Sequence, residues 1–205
     1  MIKLFVFDLG NVILPFEHRQ IALKLLEKSQ EKERFSAHEV FQFMFDMEYG
    51  FVNPYEEGRI SSREFFAHLQ ERYRLAMSFE EFKEVWNPIF WENKEVVRII
   101  YYLKERGYPL FLLSNTNELH MTYIADHYPV VHTFDEWILS FQVGVKKPHQ
   151  KIYDEIFRRM DIERDEAFYI DDIERYVQAA ENYGIQGMVF RGAHELWDML
   201  KKYNV

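Results

Sequence analysis

The chain has 205 residues, of which 48% are hydrophobic and 18% aromatic, with a net charge of −9 and no cysteine. This composition is typical of a folded protein with a sizeable core, and it excludes a disulfide framework and a thiolate zinc site. The acidic balance argues against a nucleic-acid partner. The apolar runs are too short to span a bilayer, and the N-terminus does not resemble a signal peptide. We therefore expect a cytoplasmic protein with no membrane partner.

The first predicted element is a buried strand over residues 2–7, which ends at Asp8. Gly10 follows two residues later, before Val12 and Ile13 resume the apolar pattern. An aspartate at the tip of a buried strand is costly unless its charge is used. Asp8 is therefore the first candidate for a functional residue.

The segment from about residue 16 to residue 90 is predicted to be helical, and no strand pattern occurs in it. Helices are predicted over 21–32, 38–49, 62–75 and 78–88, with Ser36 and Ser78 as N-caps. The segment is rich in aromatic residues, which commonly dominate the core of a small bundle. We interpret it as an inserted all-helical cap domain of about four helices, covering residues 16–90.

From residue 93 onward, short apolar strands alternate with helices. Strands are predicted over 109–113, 137–140, 167–170 and 187–190, and helices over 94–106, 118–127, 149–160, 173–183 and 193–203. This alternation indicates βαβ units and a parallel sheet. Together with the first strand it predicts an α/β core domain with a Rossmann-like sheet of about five strands, formed by residues 1–15 and 91–205.

Polar residues stand at the carboxyl ends of three of these strands, where open parallel sheets bind their ligands. They are Asp8, Ser114 with Asn115, and the acidic pair Asp171 and Asp172. Acidic side chains that face one another repel unless a cation lies between them, and hard oxygen ligands suit Mg²⁺. We therefore expect a magnesium site at this edge of the sheet.

Lys147 stands directly before Pro148 and can supply a fixed positive charge. A carboxylate nucleophile, Mg²⁺, a hydroxyl group and a lysine together are typical of phosphoryl transfer through an aspartyl-phosphate. Each of these residues alone could serve as a helix cap or a solvated surface charge. Their joint occurrence at successive strand ends favours a catalytic site.

In these positions the sequence resembles the haloacid dehalogenase superfamily of hydrolases along essentially the whole chain. The matching segments are DLGNV at Asp8, LLSNTN at Ser114, KKP at Lys147, and YIDD at Asp171 and Asp172. The resemblance implies that Asp8 is the nucleophile and a Mg²⁺ ligand. It also implies that the Gly10 carbonyl and Asp172 bind Mg²⁺, with Asp171 beside them, and that Ser114, the Asn115 amide and Lys147 hold the phosphoryl oxygens.

Within this superfamily, the segments DLGNV, LSNTNELH, KKPHQKIY and EEGRIS most resemble the bacterial α-D-glucose-1-phosphate phosphatase group. The resemblance implies a Mg²⁺-dependent phosphatase whose partner is a small phosphorylated metabolite such as a sugar phosphate. It implies a helical cap that closes over the site, with Pro15 and Pro88 marking hinge-like junctions. The sequence leaves open whether the protein is a monomer or a homodimer.

Gly10 departs from the pattern of this superfamily, in which most phosphatases carry a second aspartate two residues after the nucleophile. That aspartate donates a proton to the leaving oxygen, and such catalysis contributes roughly 10²–10⁴-fold. Three explanations are open. The protein could be a haloacid dehalogenase, although the acidic pair argues for phosphate; it could be a non-catalytic binding module; or the substrate or another residue could compensate.

We favour compensation, because an anomeric oxygen leaves more readily than an ordinary alcohol oxygen. Four residues are candidates for assistance from the cap or the loop after the nucleophile: Glu17, His18, Glu56 and Glu57. Glu57 is the one that we assign to substrate binding. Gly10→Asp is expected to broaden the range of leaving groups, unless the loop requires glycine at that position.

Overall fold

The computed structural model describes residues 1–203 and 205 and contains a five-stranded sheet. Its strands are β1 (Leu4–Phe7), β2 (Leu110–Ser114), β3 (Glu136–Leu139), β4 (Ala167–Asp171) and β5 (Gln186–Val189). Their order is β3-β2-β1-β4-β5, and every neighbouring pair is parallel. The central strand is thus β1, which delivers Asp8. The predicted α/β fold with a parallel five-stranded sheet is confirmed.

The segment between β1 and β2 forms helices. Five of them precede the return to the sheet: α1 (Arg19–Glu27), α2 (Ala37–Phe45), α3 (Val52–Glu56), α4 (Ser62–Tyr73) and α5 (Phe79–Trp86). The helix α6 (Lys94–Glu105) then leads into β2. The later helices are α7 (Glu118–His127), α8 (Ser140–Val143), α9 (Gln150–Arg159), α10 (Glu174–Asn182) and α11 (Ala193–Lys202). Short 3-10 helices occupy Lys32–Arg34, Pro129–Thr133 and Arg164–Glu166.

Both faces of the sheet are buried. Successive side chains of a strand point to opposite faces, and those of β1 enter two different apolar clusters. Phe5 and Phe7 of β1 pack in one apolar cluster, whereas Leu4 and Val6 pack in the other. This arrangement explains why the strands are continuously apolar, as parallel sheets covered on both sides require. It also leaves the strand ends as the place where polar side chains meet.

The inserted helices have an apolar cluster of their own, built around Trp86, Phe65 and Phe82. The capping residues predicted at Ser36 and Ser78 are confirmed, and each forms a capping box with the glutamate three residues later. Ser61 caps α4 in the same way.

Two helix boundaries and one helix of the insertion differ from the predictions. The helix predicted over 38–49 ends at Phe45, because the Asp46 carboxylate accepts hydrogen bonds from the backbone N–H groups of Glu48 (3.0 Å) and Tyr49 (2.7 Å) and turns the chain. The helix predicted over 21–32 ends at Glu27. The α3 helix was missed because its five residues are too few for a helical period to be visible.

The two chain segments that join the insertion to the sheet run antiparallel beside each other. Glu17 N–H donates to the Ile89 carbonyl (3.1 Å), and Trp91 N–H donates to the Pro15 carbonyl (3.0 Å). Between these two bonds, Phe16 forms an antiparallel bridge with Phe90. The chain segments next to Pro15 and Pro88 are therefore hydrogen-bonded to each other.

In the described part of the chain, none of the helices has both the length and the hydropathy that crossing a membrane requires.

Candidate active site

The strand order brings the predicted polar residues together at one edge of the sheet. Asp8 directly follows β1, while Ser114 and Asp171 are the last residues of its two neighbours, β2 and β4. The register pairs Phe7 with Leu112 on one side and with Ile170 on the other. Asp8 therefore lies between the end of β2 and the acidic pair.

Lys147 is the centre of this cluster, with only 3% of its surface exposed. Its ammonium group donates to Asp8 Oδ1 (2.7 Å), to Asp171 Oδ2 (2.7 Å) and to the Leu113 carbonyl oxygen (3.2 Å). All three ammonium protons are thus used. Burial alone would lower the pKa of Lys147, but the charges of Asp171 and Asp8 outweigh it and raise the pKa above its usual value. The lysine is therefore a fixed positive charge.

The carboxylates of the cluster outnumber its one ammonium group. Burial raises the pKa of Asp8 to about 7; Lys147 opposes this shift, and the negative charges of Asp171 and Asp172 add to it. Burial and Asp171 also raise the pKa of Asp172. Burial is the larger cause of both shifts, and a cation at this edge would offset the repulsion among the carboxylates that adds to it.

The two members of the acidic pair have different surroundings. Asp171 is completely buried and accepts hydrogen bonds from Lys147, from the Tyr169 hydroxyl and from Ile173 N–H (2.8 Å). Asp172 lines the open cleft and accepts a hydrogen bond from Asn11 Nδ2 (3.2 Å). Asp171 therefore holds Lys147 in place, whereas Asp172 has oxygen atoms available for a ligand in the cleft.

The carboxylates fit a hard divalent cation. One oxygen each from Asp8, Asp171 and Asp172 lies within 4.8 Å of the others. Oxygen donors at such spacing suit Mg²⁺. Asp8 and Asp172 line the cleft together with Gly10. Asp171 does not line it, and its oxygens already accept hydrogen bonds from the protein.

Asn115 fixes the backbone that carries Lys147. Its side-chain oxygen accepts from Lys147 N–H (2.8 Å), and its side-chain nitrogen donates to the Lys147 carbonyl oxygen (3.2 Å). Ser114 is buried beside it, with its hydroxyl 3.5 Å from the Asn115 carbonyl oxygen, and it does not line the cleft. The Asn115 side chain is thus a positioning group for Lys147, a role that the sequence analysis did not foresee.

The cleft above the strand ends has a volume of about 260 Å³ and is shared by sheet loops and inserted helices. From the sheet side come Asp8, Asn115, Lys147 and Asp172, and from the insertion come Phe45, Asn53 and Glu56, among others. Lys146 joins the two sides: its ammonium group binds the Asn53 side-chain oxygen (2.6 Å) and the Glu56 carboxylate. This ion pair, which the sequence analysis did not predict, connects the inserted helices with the loop of Lys147.

The four candidate assisting residues lie in different places. Glu56 and His18 line the cleft. Glu57 does not; its carboxylate pairs with Arg59 (2.7 Å). Glu17 is exposed and accepts from Arg19 N–H (2.8 Å). The adjacent Glu56, rather than Glu57, therefore has the position that we predicted for a substrate-binding acid.

Gly10 is in close contact with an aromatic ring. A Cβ atom at this position would lie 2.7 Å from Cε1 of Phe16, closer than real Cβ contacts allow. Gly10 does not have the positive φ that favours glycine, which Asn11 has instead, at 55°. The space taken by Phe16, and not the backbone conformation, therefore favours glycine here, because any larger side chain requires the ring to shift. Gly10→Asp alone would force the ring to move, which corrects the expectation that it simply supplies an acid.

Comparison with known proteins agrees with this geometry. A family model described as haloacid dehalogenase-like hydrolase matches residues 2–184, so the chain belongs to that family of hydrolases. The D-ribitol-5-phosphate phosphatase of Bacteroides thetaiotaomicron is 26% identical in an alignment of 199 residues that covers 91% of this chain and 90% of the relative. The glyceraldehyde 3-phosphate phosphatase of Methanopyrus kandleri is 22% identical over 90% of this chain and 82% of its own length.

The fold is also shared with solved structures. A crystal structure of a haloacid dehalogenase family enzyme from Bacteroides thetaiotaomicron, in complex with magnesium and inorganic phosphate, has a TM-score of 0.78 at 24% identity. It covers 92% of this chain, which in turn covers 93% of that structure. The L-2-haloacid dehalogenase of Xanthobacter autotrophicus has a TM-score of 0.63 at 18% identity, over 91% of this chain and 76% of its own. The family predicted from the motifs is confirmed.

Proposed function

We propose that the protein is a Mg²⁺-dependent phosphatase that acts on small phosphorylated metabolites through an aspartyl-phosphate on Asp8. The observation that carries this proposal is the cluster in which Lys147 bridges Asp8 and Asp171 at 2.7 Å each, with Asp172 facing the cleft. A nucleophilic carboxylate beside a fixed cation and a second free carboxylate is the donor set that phosphoryl transfer requires. The names of both curated relatives support a phosphatase.

In this proposal an oxygen of Asp8 attacks phosphorus, and the bond to the leaving oxygen breaks. Water then attacks the phosphorus of the aspartyl-phosphate, which regenerates the Asp8 carboxylate and releases inorganic phosphate. Lys147 orients Asp8 and offsets the negative charge that gathers at the phosphoryl group. The Asn115 backbone amide is proposed to contact another phosphoryl oxygen. The same role was predicted for Ser114, but its hydroxyl is buried and does not line the cleft.

Asp8, Asp172 and the Gly10 carbonyl oxygen would hold the Mg²⁺, with Asp171 beside them. When bound, the metal supplies positive charge that neutralises the surplus carboxylates and the phosphate. Lys147 alone does not balance these charges, because its single positive charge is shared between Asp8 and Asp171.

We further propose that the substrate is a sugar phosphate, with α-D-glucose 1-phosphate as the leading candidate. The cleft presents Asn53 and Glu56 opposite the strand ends, and amide and carboxylate groups suit the hydroxyls of a sugar. Glu56 takes the substrate-binding role that the sequence analysis gave to Glu57. The relatives' names, ribitol 5-phosphate and glyceraldehyde 3-phosphate phosphatases, support a small polyhydroxylated substrate but not the anomeric position of its phosphate.

The test is phosphate release from a panel of sugar phosphates, polyol phosphates and nucleotides, with Mg²⁺ and with a chelator. Chelator-sensitive release that disappears in Asp8→Asn and persists in Asp198→Asn, an exposed carboxylate on α11, would support the proposal. Halide release from 2-haloacids without metal would indicate a dehalogenase instead. A folded protein that releases neither phosphate nor halide would favour a binding module.

A further inference from the structure

With Gly10 two residues after Asp8, the cleft lacks a carboxyl group at the position from which a leaving oxygen would usually receive a proton. When a phosphate ester is cleaved, the leaving oxygen keeps the electron pair of the broken bond and must be protonated or stabilised. A positioned acid usually performs this step and contributes roughly 10²–10⁴-fold. The inserted segment contributes three titratable side chains to the cleft: His18, Asp46 and Glu56.

The carboxyl groups of the cap side are already committed. Glu56 is paired with Lys146. Hydrogen bonds from the backbone N–H groups of Tyr49 and Glu48 lower the pKa of Asp46, so that this group is ionised at neutral pH. Both carboxylates are therefore engaged as acceptors, Glu56 of the Lys146 ammonium group and Asp46 of backbone N–H groups.

His18 also lacks a proton to donate as an acid. Its ring stacks on Phe45 at a centroid distance of 4.2 Å and contacts Phe16 at 4.5 Å. Burial among these rings lowers the pKa of His18 to about 4, so the imidazole is neutral. His120, whose ring is 6.2 Å away, is buried and neutral as well.

Position 10, two residues after Asp8, also carries no acid, and Phe16 occupies the space beside it. The Phe16 ring lies in the direction in which a side chain would leave Gly10, with Cε1, Cδ1 and Cζ at 2.7, 3.5 and 3.7 Å from the Cβ position. The ring is held there by an edge contact with Phe90 at 6.0 Å and by the backbone bridge between the same two residues. It also lines the cleft beside Asp8.

We propose that Phe16 determines leaving-group specificity: it excludes an acid at position 10 and restricts the enzyme to phosphates whose leaving oxygen departs unprotonated. Anomeric, enol, acyl and aryl phosphates belong to this class. Esters of ordinary alcohols, which include the compounds in both relatives' names, are expected to be poor substrates of this chain. The leaving oxygen departs with the P–O electron pair and takes its proton from bulk water. This inference rests on the proposed phosphatase activity and adds the chemical class of its substrates.

The test compares phenyl phosphates of similar size whose phenols differ in acidity. With the wild-type protein and Mg²⁺, kcat/KM is expected to fall by about 10²–10⁴-fold from the most to the least acidic phenol, which is the range of the missing acid catalysis. The double variant G10D/F16A has both the acid and the space for it, and is expected to flatten this dependence. G10D alone is expected to keep a steeper dependence than the double variant, because its carboxylate must compete for space with the displaced Phe16 ring.

The matched control is G10D/F41A, which removes an equal ring from α2 that is not in contact with Gly10. It is expected to behave like G10D. A shallow dependence in the wild type, or flattening by G10D alone, would overturn the role of Phe16. Circular dichroism reports whether each variant is folded.

A second measurement covers the case in which the double variant does not fold. The solvent deuterium isotope effect of the wild type on the least acidic phenol should be close to one, because no proton is transferred in that transition state. A large normal effect would contradict the inference. Absence of phosphate release from every ester by folded protein with Mg²⁺ would instead refute the proposed phosphatase activity, and the specificity role with it.

Discussion

Acidification is expected to destabilise the protein through His120, which anchors the inserted helices to the sheet domain. His120 lies in the first turn of α7 and is 5% exposed. Asn117 Oδ1 accepts from His120 N–H (3.0 Å) and Trp86 Nε1 (3.4 Å), so Asn117 Nδ2 is the donor to His120 Nδ1 (3.1 Å). His120 Nε2 then donates to the Trp86 carbonyl oxygen (3.0 Å). The neutral imidazole thus forms a hydrogen bond with each neighbour. A second ring proton would lie on Nδ1 and point at Asn117 Nδ2, which is itself a donor.

The size of the effect follows from the pKa of His120, which burial lowers from 6.5 to about 3. The unfolded chain binds a proton below pH 6.5, whereas the folded protein does not until the pH approaches 3. Stability is therefore fully present above pH 6.5 and is lost as the pH falls. Between pH 7 and pH 5 the loss through this group is about 2 kcal/mol, which corresponds to roughly 4–8 °C in melting temperature for a chain of this size.

The assay is urea unfolding at pH 7 and pH 5, followed by tryptophan fluorescence, since Trp86 stacks on His120 at 4.9 Å. His120→Gln keeps a donor for Trp86 but does not titrate, so it should lose about 2 kcal/mol less than the wild type on acidification. His127→Gln on the exposed face of the same helix is the control and should match the wild type. Equal losses in wild type and His120→Gln would refute this reasoning, because other titrating groups are common to both.

Three further predictions concern the site and the junction with the cap. Lys147→Met leaves Asp8 without its buried partner, and we expect about 3–5 kcal/mol of lost stability in urea unfolding together with loss of phosphate release; an unchanged unfolding midpoint would contradict the assigned ion pairs. Asn11→Gly allows the positive φ but removes the hydrogen bond to Asp172. The Mg²⁺ concentration needed to raise the melting temperature should therefore increase about 10–100-fold. Asn11→Ala should in addition lower the stability of the metal-free protein by about 1–2 kcal/mol, because alanine disfavours a positive φ. Tyr55→Phe removes the hydroxyl that accepts from the backbone N–H of α7 (3.2 Å) and should cost about 1–3 kcal/mol in thermal unfolding; a value near zero would mean that this junction adds no stability.

The sheet and its strand ends could be predicted from the sequence because their physical signals are local. A short apolar run that ends in Asp8 or Asp171 specifies both a buried strand and the polar residue at its tip. Since parallel strands expose their carboxyl ends at the same edge, these residues were expected to meet without knowledge of the strand order. The roles assigned to them at the reacting centre remain proposals.

Other features depend on packing between segments that are distant in the sequence. The contact of Phe16 with Gly10 and the bond of Lys146 with Glu56 arise only when the insertion folds back over the sheet. Tyr169 could have been found from its spacing, because residues two apart on a strand share a face, and its hydroxyl binds Asp171. No comparable period distinguishes Glu56 from Glu57, whose positions are set by the short helix α3.

The central claim, that Asp8 is the nucleophile of a phosphatase, is tested most directly by trapping the intermediate. The protein is mixed with Mg²⁺ and α-D-glucose 1-phosphate or 4-nitrophenyl phosphate, quenched in acid within milliseconds to seconds, digested and analysed by mass spectrometry. The account predicts the mass of one phosphoryl group on the peptide that contains Asp8, and its absence in Asp8→Asn. Phosphate release without such an adduct, or an adduct on another peptide, would contradict it.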